Sequence, residues 1–307
     1  MTLNRIASDT HMGTVDLRVS DLDAVLAFYT DGVGLTPLSV DGPTVTLGLG
    51  SDLSASPDGG APSPVTTGTA PVVTLTHAPD LRLPSRGSAG LYHTAILFPT
   101  AAELASSVYS LFRRFPHLYQ GASDHLVSRA FYWGDPEGNG VELYIDRSRD
   151  EWTWENNQVS MATLALDPRA FLTDHLPEED YESDASPSGM NGSIGHVHLQ
   201  VGDVETARDF YVNTIGFDET ASFGDQALFV SAGGYHHHMA MNTWQSRGAG
   251  PRQSALGLGR VDIVVPTTDE IEHIGSRLTE RGFAYGHDGA ALLVRDPWAN
   301  EIRVLTA

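Results

Sequence analysis

The segment from His125 to Glu142 holds the residues of this chain that are best suited to chemistry. It reaches Tyr132 in a strand-like stretch and then crosses residues 135–140, whose Asp, Pro and two Gly are typical of a tight turn. Residues 141–145 resume as a strand, in which alternation separates Glu142 from its apolar neighbours. A buried carboxylate without a partner costs several kcal/mol. Glu142 therefore requires a partner, and a metal ion is a natural candidate.

This segment resembles the signature of the extradiol ring-cleavage dioxygenases, within the vicinal oxygen chelate superfamily. The signature has a His, a short spacer, an apolar residue and Tyr, then Asp-Pro, Gly and a metal-binding Glu. The matching residues are His125, Phe131, Tyr132, Asp135, Pro136, Gly138 and Glu142. One position departs from the pattern, because Ser123 stands two places before the His where other residue types are preferred.

Internal repetition predicts how the chain is organised. Residues 19–35 and 201–217 share Val-x-Asp, Phe-Tyr and Gly at the same spacing, typical of a strand followed by an Asp-capped helix that ends at Gly. Residues 93–99 and 260–266 form a second pair, each a strand that precedes a helix and, later, an Asp-Pro turn. The repeats divide the chain into modules A (9–80), B (88–147), C (192–246) and D (255–307).

The superfamily that the signature resembles is built of βαβββ units. The resemblance therefore implies an α+β fold of four βαβββ modules paired into two half-barrels. Along the sequence the modules group into an N-terminal pair (1–150), a crossover linker (151–191) and a C-terminal pair (192–307). Residues 51–70 are rich in Gly, Pro, Ser and Thr, and we expect them to form an exposed loop within module A.

In this superfamily the metal ligands of a half-barrel come from the first and last strands of its modules. At the first-strand position, modules A to D carry Thr14, His93, His196 and Arg260 respectively. At the last-strand position module B carries Glu142, whereas module D carries Arg303, with Glu301 two residues earlier as a weak substitute.

Only modules B and C together supply a plausible ligand set, which is His93, His196 and Glu142. Two His and one carboxylate with open positions suggest non-haem Fe(II). This set requires B to pair with C and leaves A with D as a metal-free partner. If A paired with B, the third ligand would be Thr14, which is implausible, or His11, three residues out of register. His93 alone would be read as a core histidine, but its register with His196 favours a ligand.

Three consecutive histidines, residues 236–238, fall at the expected last strand of module C. Alternation along a strand would send His236 and His238 one way and His237 the other. In the enzymes that the chain resembles, this location supplies an acid–base histidine. We therefore predict that role for His238, with His236 second. Either could instead be a fourth metal ligand. A polar strand end without function is the weaker interpretation, because three histidines rarely occur there without a purpose.

The resemblance implies a catechol 2,3-dioxygenase-like enzyme. A small aromatic diol would chelate Fe(II) through both oxygens, while O2 takes the remaining open position; Mn, Zn or Ni are alternative metals. His238 would take or return a proton, and Tyr132 and His125 would hydrogen-bond oxygen atoms of the substrates.

Two other functions use the same scaffold. A glyoxalase-type lyase or isomerase would hold Zn²⁺, Ni²⁺ or Mn²⁺ with four ligands, which would be His93, Glu142, His196 and His238. A non-enzymatic binding protein of the bleomycin-resistance kind would usually lack the ligands, so a complete set counts against it.

The composition limits the size of the domains, the types of site and the cellular location that we expect for this chain. The 307 residues suffice for one large or two ordinary domains, and the absence of cysteine excludes disulfides, thiolate nucleophiles and cysteine-ligated metals. No apolar run approaches the ~20 residues of a membrane span, and the N-terminus lacks a signal-peptide pattern. We therefore expect a cytoplasmic protein, and a homo-oligomer is compatible with the sequence.

The charge of the chain is strongly acidic, with 39 Asp and Glu against 18 basic residues, all of them Arg, for a net charge of −21. Such a field disfavours nucleic acid and anionic membranes as partners. Concentrated salt would screen the self-repulsion, with a Debye length of about 3 Å at 1 M. The composition thus predicts a high-salt cytosol, as in extreme halophiles, with a GC-rich genome as the alternative explanation.

Overall fold

The computed structural model describes residues 5–50 and 69–307. The loop predicted for residues 51–70 therefore lies almost wholly outside the described residues. Module A contains β1 (His11–Val19), α1 (Leu22–Ala27), β2 (Thr36–Asp41), β3 (Thr44–Gly50) and β4 (Thr69–His77). Module B contains β5 (Gly90–Leu97), α2 (Ala101–Arg114), β6 (Tyr119–Asp124), β7 (Ser128–Gly134) and β8 (Gly140–Asp146).

Modules C and D repeat the order of one strand, a helix and three strands, and the linker before them has short strands and helices. The linker contains β9 (Trp154–Glu155), β10 (Gln158–Val159), β11 (Leu164–Ala165), α3 (Pro168–His175) and α4 (Glu178–Glu182). Module C contains β12 (Ser193–Gln200), α5 (Val204–Phe210), β13 (Asp218–Phe223), β14 (Ala227–Ser231) and β15 (Met239–Asn242). Module D contains β16 (Gly257–Val265), α6 (Thr268–Glu280), β17 (Tyr285–His287), β18 (Ala291–Arg295) and β19 (Glu301–Thr306).

Most of the strands form two large sheets, each built around two modules, and β11 of the linker adds an edge strand to one of them. The first, which we call the B–C sheet, has nine strands in the order β11-β6-β7-β8-β5-β12-β15-β14-β13. The second, the A–D sheet, has eight strands in the order β17-β18-β19-β16-β1-β4-β3-β2. Antiparallel pairing of β5 with β12 joins the modules of the B–C sheet, and pairing of β1 with β16 joins those of the A–D sheet.

This topology confirms the predicted fold class, four βαβββ modules paired into two half-barrels. It also gives the pairing that the metal-site prediction required, B with C and A with D. Each sheet takes one module from either side of the linker. The predicted grouping into 1–150, 151–191 and 192–307 follows the order of the modules along the chain, not their pairing in the sheets. It remains a prediction.

The repeated helix signals work as the sequence predicted. Asp21 caps α1 by accepting a hydrogen bond from the backbone N–H of Ala24, and Asp203 caps α5 through Thr206. Both helices continue into a π-helical turn, Phe28–Val33 and Tyr211–Ile215, and end at Gly34 and Gly216 with φ of 94° and 106°. Glycine is needed at both ends because this left-handed conformation disfavours a side chain. None of the described helices is long and apolar enough to cross a membrane.

Strand alternation in the B–C sheet separates a hydrophobic face from a polar face. Val141 and Leu143 of β8, and Val197 and Leu199 of β12, belong to the main hydrophobic core. The residues between them point to the opposite face of the sheet. That face therefore receives Glu142, Tyr144, His196 and His198.

Gly195 precedes His196 on β12, and a Cβ atom there would overlap the hydroxyl of Tyr144. Replacing Gly195 by Ala should therefore cost about 1–3 kcal/mol of stability, as other overpacked core positions do. Urea denaturation measures this loss. The control is Gly286→Ala, since nothing lies within 4 Å of a Cβ at that position. Equal denaturation midpoints for the two variants would contradict the packing described here.

Candidate metal centre

Three strands of the B–C sheet bring the predicted ligands together. The register pairs Glu142 of β8 with Ala95 of β5, and Ala95 in turn with His196 of β12. Glu142 and His196 thus flank Ala95, two strand spacings or roughly 9–10 Å apart at the backbone. His93 lies two residues from Ala95 and on the same face. Because Ala95 is small, the side chains on either side of it have room to converge above β5.

The three side chains converge on one point. His93 Nε2 lies 3.0 Å from Glu142 Oε2, and His196 Nε2 lies 3.3 Å from the same oxygen. The two imidazole nitrogens are 3.3 Å apart. All three residues are buried, with exposed fractions of 7%, 2% and 2% for His93, Glu142 and His196. Within residues 5–50 and 69–307 this is the one group of three or more potential ligands whose donor atoms cluster.

The spacing of these donor atoms fits a bound metal ion. Nitrogen and oxygen ligands lie about 2.0–2.2 Å from a small divalent metal, so two ligands at right angles are about 3 Å apart. The three measured separations, 3.0, 3.3 and 3.3 Å, are close to that value. Two imidazole nitrogens and one carboxylate oxygen on one side of an ion leave the other side open to solvent or substrate.

The protonation states of the cluster also suit a metal. Burial lowers the pKa of His196 to about 4, although the Glu142 carboxylate acts in the opposite direction. Burial opposes ionisation of Glu142, but the imidazoles of His196 and His93 outweigh it and hold the pKa of Glu142 well below its usual range. At neutral pH the site thus offers a neutral imidazole at His196 and an ionised carboxylate, the forms that bind metals.

The corresponding position of the A–D sheet holds an ion-pair cluster instead. Asp262 occupies the place of Ala95, because it pairs with Arg303 of β19 as Ala95 pairs with Glu142. Its Oδ1 accepts hydrogen bonds from Nε of Arg260 at 2.9 Å and from Nε of Arg303 at 3.0 Å. Guanidinium groups are cations without a free lone pair, so they cannot ligate a metal ion. The half-barrels share a fold but differ in the chemistry at their centres.

His125 and Tyr132 form a hydrogen-bonded pair beside the triad. The Nδ1 atom of His125 lies 2.7 Å from the carbonyl oxygen of Ala162, which can only accept, so Nδ1 carries a proton. In the neutral ring Nε2 then accepts the hydroxyl proton of Tyr132, 2.7 Å away. Burial, and next the Glu142 carboxylate, raise the pKa of Tyr132 well above its usual value. Tyr132 is therefore a neutral phenol whose ring centroid is 5.8 Å from that of His93.

The prediction for the three-histidine run is wrong in its orientation. Residues 236–238 form a bend before β15 rather than part of the strand, so strand alternation does not apply to them. The ring of His237 packs against His196, with centroids 4.2 Å apart. The ring of His238 lies instead against Tyr235, and its Nδ1 accepts the backbone N–H of Ala232. Of these two histidines, His237 rather than His238 lies beside the predicted metal ligand His196.

His236, the second predicted acid–base residue, is fully buried and bonds to two other side chains. Its Nε2 lies 2.8 Å from Asp146 Oδ1, and its Nδ1 lies 2.8 Å from Nδ1 of His237. The sequence reasoning did not identify Asp146 or the position of His237. A signal for Asp146 was present, because it follows Glu142 by four residues on β8 and so points to the same face.

His198 lies on the same polar face as His196, but its ring hydrogen-bonds to Asn242. Its Nε2 accepts a hydrogen bond from the side-chain amide of Asn242 at 3.0 Å. The Asn242 oxygen accepts the backbone N–H of Trp244 at 3.1 Å, which fixes the orientation of that amide. Burial lowers the pKa of His198 well below its usual value, so the ring is neutral. Of His196 and His198, the clustered donor atoms include His196 alone.

Comparison with known proteins agrees with this geometry. Residues 193–304 match the family described as the Glyoxalase/Bleomycin resistance protein/Dioxygenase superfamily. Catechol-2,3-dioxygenase of Bacillus subtilis (strain 168) is 34% identical over 308 residues, which cover 96% of this chain and 96% of that protein. The chain belongs to the vicinal oxygen chelate superfamily. The resemblance to its extradiol dioxygenases, which the signature predicted, is confirmed.

Solved structures of this superfamily share the fold of the chain. A putative dioxygenase from Bacillus subtilis aligns with a TM-score of 0.63 at 12% identity, covering 98% of this chain and 86% of the other. Glyoxalase I from Zea mays aligns with a TM-score of 0.54 at 16% identity, covering 97% and 92%. At such identities the likeness establishes the vicinal oxygen chelate fold alone.

Removing the carboxylate should abolish metal binding by this vicinal oxygen chelate protein. We expect Glu142→Gln to lower metal affinity by more than about 100-fold, since even the loss of an outer-shell partner costs roughly 10–100-fold. Anaerobic titration with Fe(II) measures the affinity. The control is Glu301→Gln, because Glu301 pairs with Arg295 and lies outside the cluster. Wild-type affinity in Glu142→Gln would contradict the assignment.

The buried histidines should make the metal-free protein sensitive to acid. Burial lowers the pKa of His238 to about 3 and that of His196 to about 4, whereas both ionise near 6.5 in an unfolded chain. Between these values the unfolded chain binds more protons. The free energy of unfolding must therefore decrease as the pH is lowered through this range, by up to about 1.4 kcal/mol per pH unit for each histidine.

Urea denaturation of chelator-treated protein at pH 7 and pH 5 measures this dependence. The His238→Gln variant should lose less stability between the two pH values than the wild type, because one of the contributing groups is gone. Equal pH dependence in both proteins would show that His238 is not held neutral in the folded state.

Proposed function

We propose that the protein is a metal-dependent extradiol dioxygenase that cleaves the ring of a catechol-type aromatic with O2. The observation that carries this proposal is the convergence of His93, His196 and Glu142 on one point, at separations that suit a single ion. The similarity to catechol-2,3-dioxygenase over nearly the whole chain supports the same function.

Fe(II) is the proposed cofactor, because two imidazoles and one carboxylate with open positions are the ligand set of non-haem iron oxygenases. His93, His196 and Glu142 would hold it. When bound, the metal supplies the centre at which the diol and O2 meet, with two neutral imidazoles and one carboxylate leaving a net charge of +1. Ring opening would break the carbon–carbon bond next to the diol and place both oxygen atoms in a semialdehyde product.

The residues around the triad have consistent roles in this proposal. Tyr132 is held by His125, so its phenol has a fixed position next to Glu142 and His93. It would orient an oxygen atom of the diol by hydrogen bonding. Because its ring lies against His196, His237 is our candidate for the acid–base role that the sequence prediction gave to His238.

The glyoxalase-type alternative required His238 as a fourth ligand. The ring of His238 packs against Tyr235 and Phe217, and the clustered donor atoms of the described chain come from His93, Glu142 and His196. The geometry therefore favours a three-ligand site. A complete set of donor atoms also counts against a binding protein that works without a metal.

The decisive assay follows catechol consumption by protein purified without oxygen and loaded with Fe(II). We expect formation of the yellow ring-opened product only when Fe(II), catechol and O2 are all present, with uptake of one O2 per ring. The same protein loaded with Zn²⁺ or Ni²⁺ is tested for isomerisation of a hemithioacetal. Turnover of the hemithioacetal without ring cleavage would replace the proposal by the glyoxalase-type alternative.

A further inference from the structure

A chain of hydrogen bonds runs from Asp146, at the end of β8, to His237 beside the metal ligands. Asp146 Oδ1 lies 2.8 Å from His236 Nε2, and His236 Nδ1 lies 2.8 Å from His237 Nδ1. The His237 ring in turn packs on His196. Neither Asp146 nor His236 belongs to the triad or to the His125–Tyr132 pair.

The middle ring of this chain is held rigidly. His236 is fully buried, and the ring of Tyr235 packs over it with centroids 4.1 Å apart. Trp152 packs edge-on against it at 5.2 Å. The Tyr235 hydroxyl is fixed by that of Tyr144, 2.8 Å away. A ring confined in this way cannot turn to exchange its two nitrogens without displacing its neighbours.

The direction of each hydrogen bond follows from which atoms can donate. An ionised Asp146 only accepts, so His236 Nε2 carries the proton of that bond. In a neutral His236 ring, Nδ1 is then the acceptor, and the proton of the second bond belongs to His237 Nδ1. His237 Nε2 is left as a bare acceptor, and no other described residue forms a hydrogen bond with it.

We propose that Asp146 and His236 are positioning residues that hold His237 in its Nδ1–H tautomer, so that Nε2 accepts a hydrogen bond from a hydroxyl of the bound substrate. This inference rests on the proposed function for the identity of the substrate, a diol. His237 would touch the substrate, whereas Asp146 and His236 act only through it. Without Asp146, His236 could carry its proton on Nδ1, His237 would carry its own on Nε2, and the acceptor would be lost.

The first test reads the tautomer directly, without any reaction. Nitrogen-15 NMR of the metal-free protein labelled at histidine distinguishes the two tautomers, and the His237→Gln variant identifies the His237 signals by their loss. We expect the Nδ1–H tautomer in the wild type and in Asp146→Asn, whose amide oxygen can still accept from His236. In Asp146→Ala the Nε2–H form should appear. His238→Gln, which alters the adjacent ring, should leave the tautomer unchanged.

The second test measures steady-state ring cleavage by the iron-loaded variants. Asp146→Ala should lower kcat by about 10–100-fold, the loss that is typical when a supporting hydrogen-bond partner in an active site is removed, and Asp146→Asn should restore most of it. If Asp146→Ala does not fold, His236→Phe, which leaves His237 Nδ1 without this acceptor, provides the same comparison. The proposal would be overturned if His237 were the Nε2–H tautomer in the wild type. It would also be overturned if His237 had the same tautomer in the wild type and in Asp146→Ala. The expected tautomers in a protein that cleaves no catechol would instead overturn the proposed function.

Discussion

The antiparallel pairing of β5 with β12 is the constraint on which the rest of the site depends. It joins two modules that are separated in sequence by the linker, and its register sets His196 beside Ala95. The pairing of β5 with β8 sets Glu142 on the other side of Ala95. Glu142 is almost completely buried, and an ionised carboxylate in that position is costly unless it is paired. The two imidazoles, and a metal ion between the three groups, would supply the compensation. A shift of one residue in the pairing would turn His196 to the core and leave Glu142 without it.

The A–D half-barrel has the same fold, but its central carboxylate is paired with arginine side chains. Asp262 stands where Ala95 stands in the B–C half-barrel, and Arg260 and Arg303 bind to it. The Asp262 carboxylate is thus paired with guanidinium groups of the protein itself. The two half-barrels thus share one module fold, but one offers donor atoms to a ligand and the other pairs its central charged groups internally.

Much of the fold, and the three side chains that cluster at the centre of the B–C sheet, could be predicted from the sequence. The repeats around Asp21 and Asp203 gave the module boundaries, and the alternation of β8 placed Glu142 opposite Val141 and Leu143. The three-histidine run could not be predicted in the same way, because alternation holds only in a strand and residues 236–238 form a bend. The Asp146–His236 hydrogen bond joins residues 90 positions apart, so its partners become apparent only once the sheet is assembled. The acidic, lysine-free composition predicts a high-salt cytosol, and that remains a prediction.

The central claim is that one metal ion lies between His93, His196 and Glu142. Anomalous diffraction from crystals of the Fe(II)-loaded protein, recorded on both sides of the iron absorption edge, tests it most directly. We predict a single strong anomalous peak at bonding distance, about 2.0–2.3 Å, from two imidazole nitrogens and one carboxylate oxygen of these residues. A peak bound by other side chains, or no peak in protein that contains one equivalent of iron, would contradict the account.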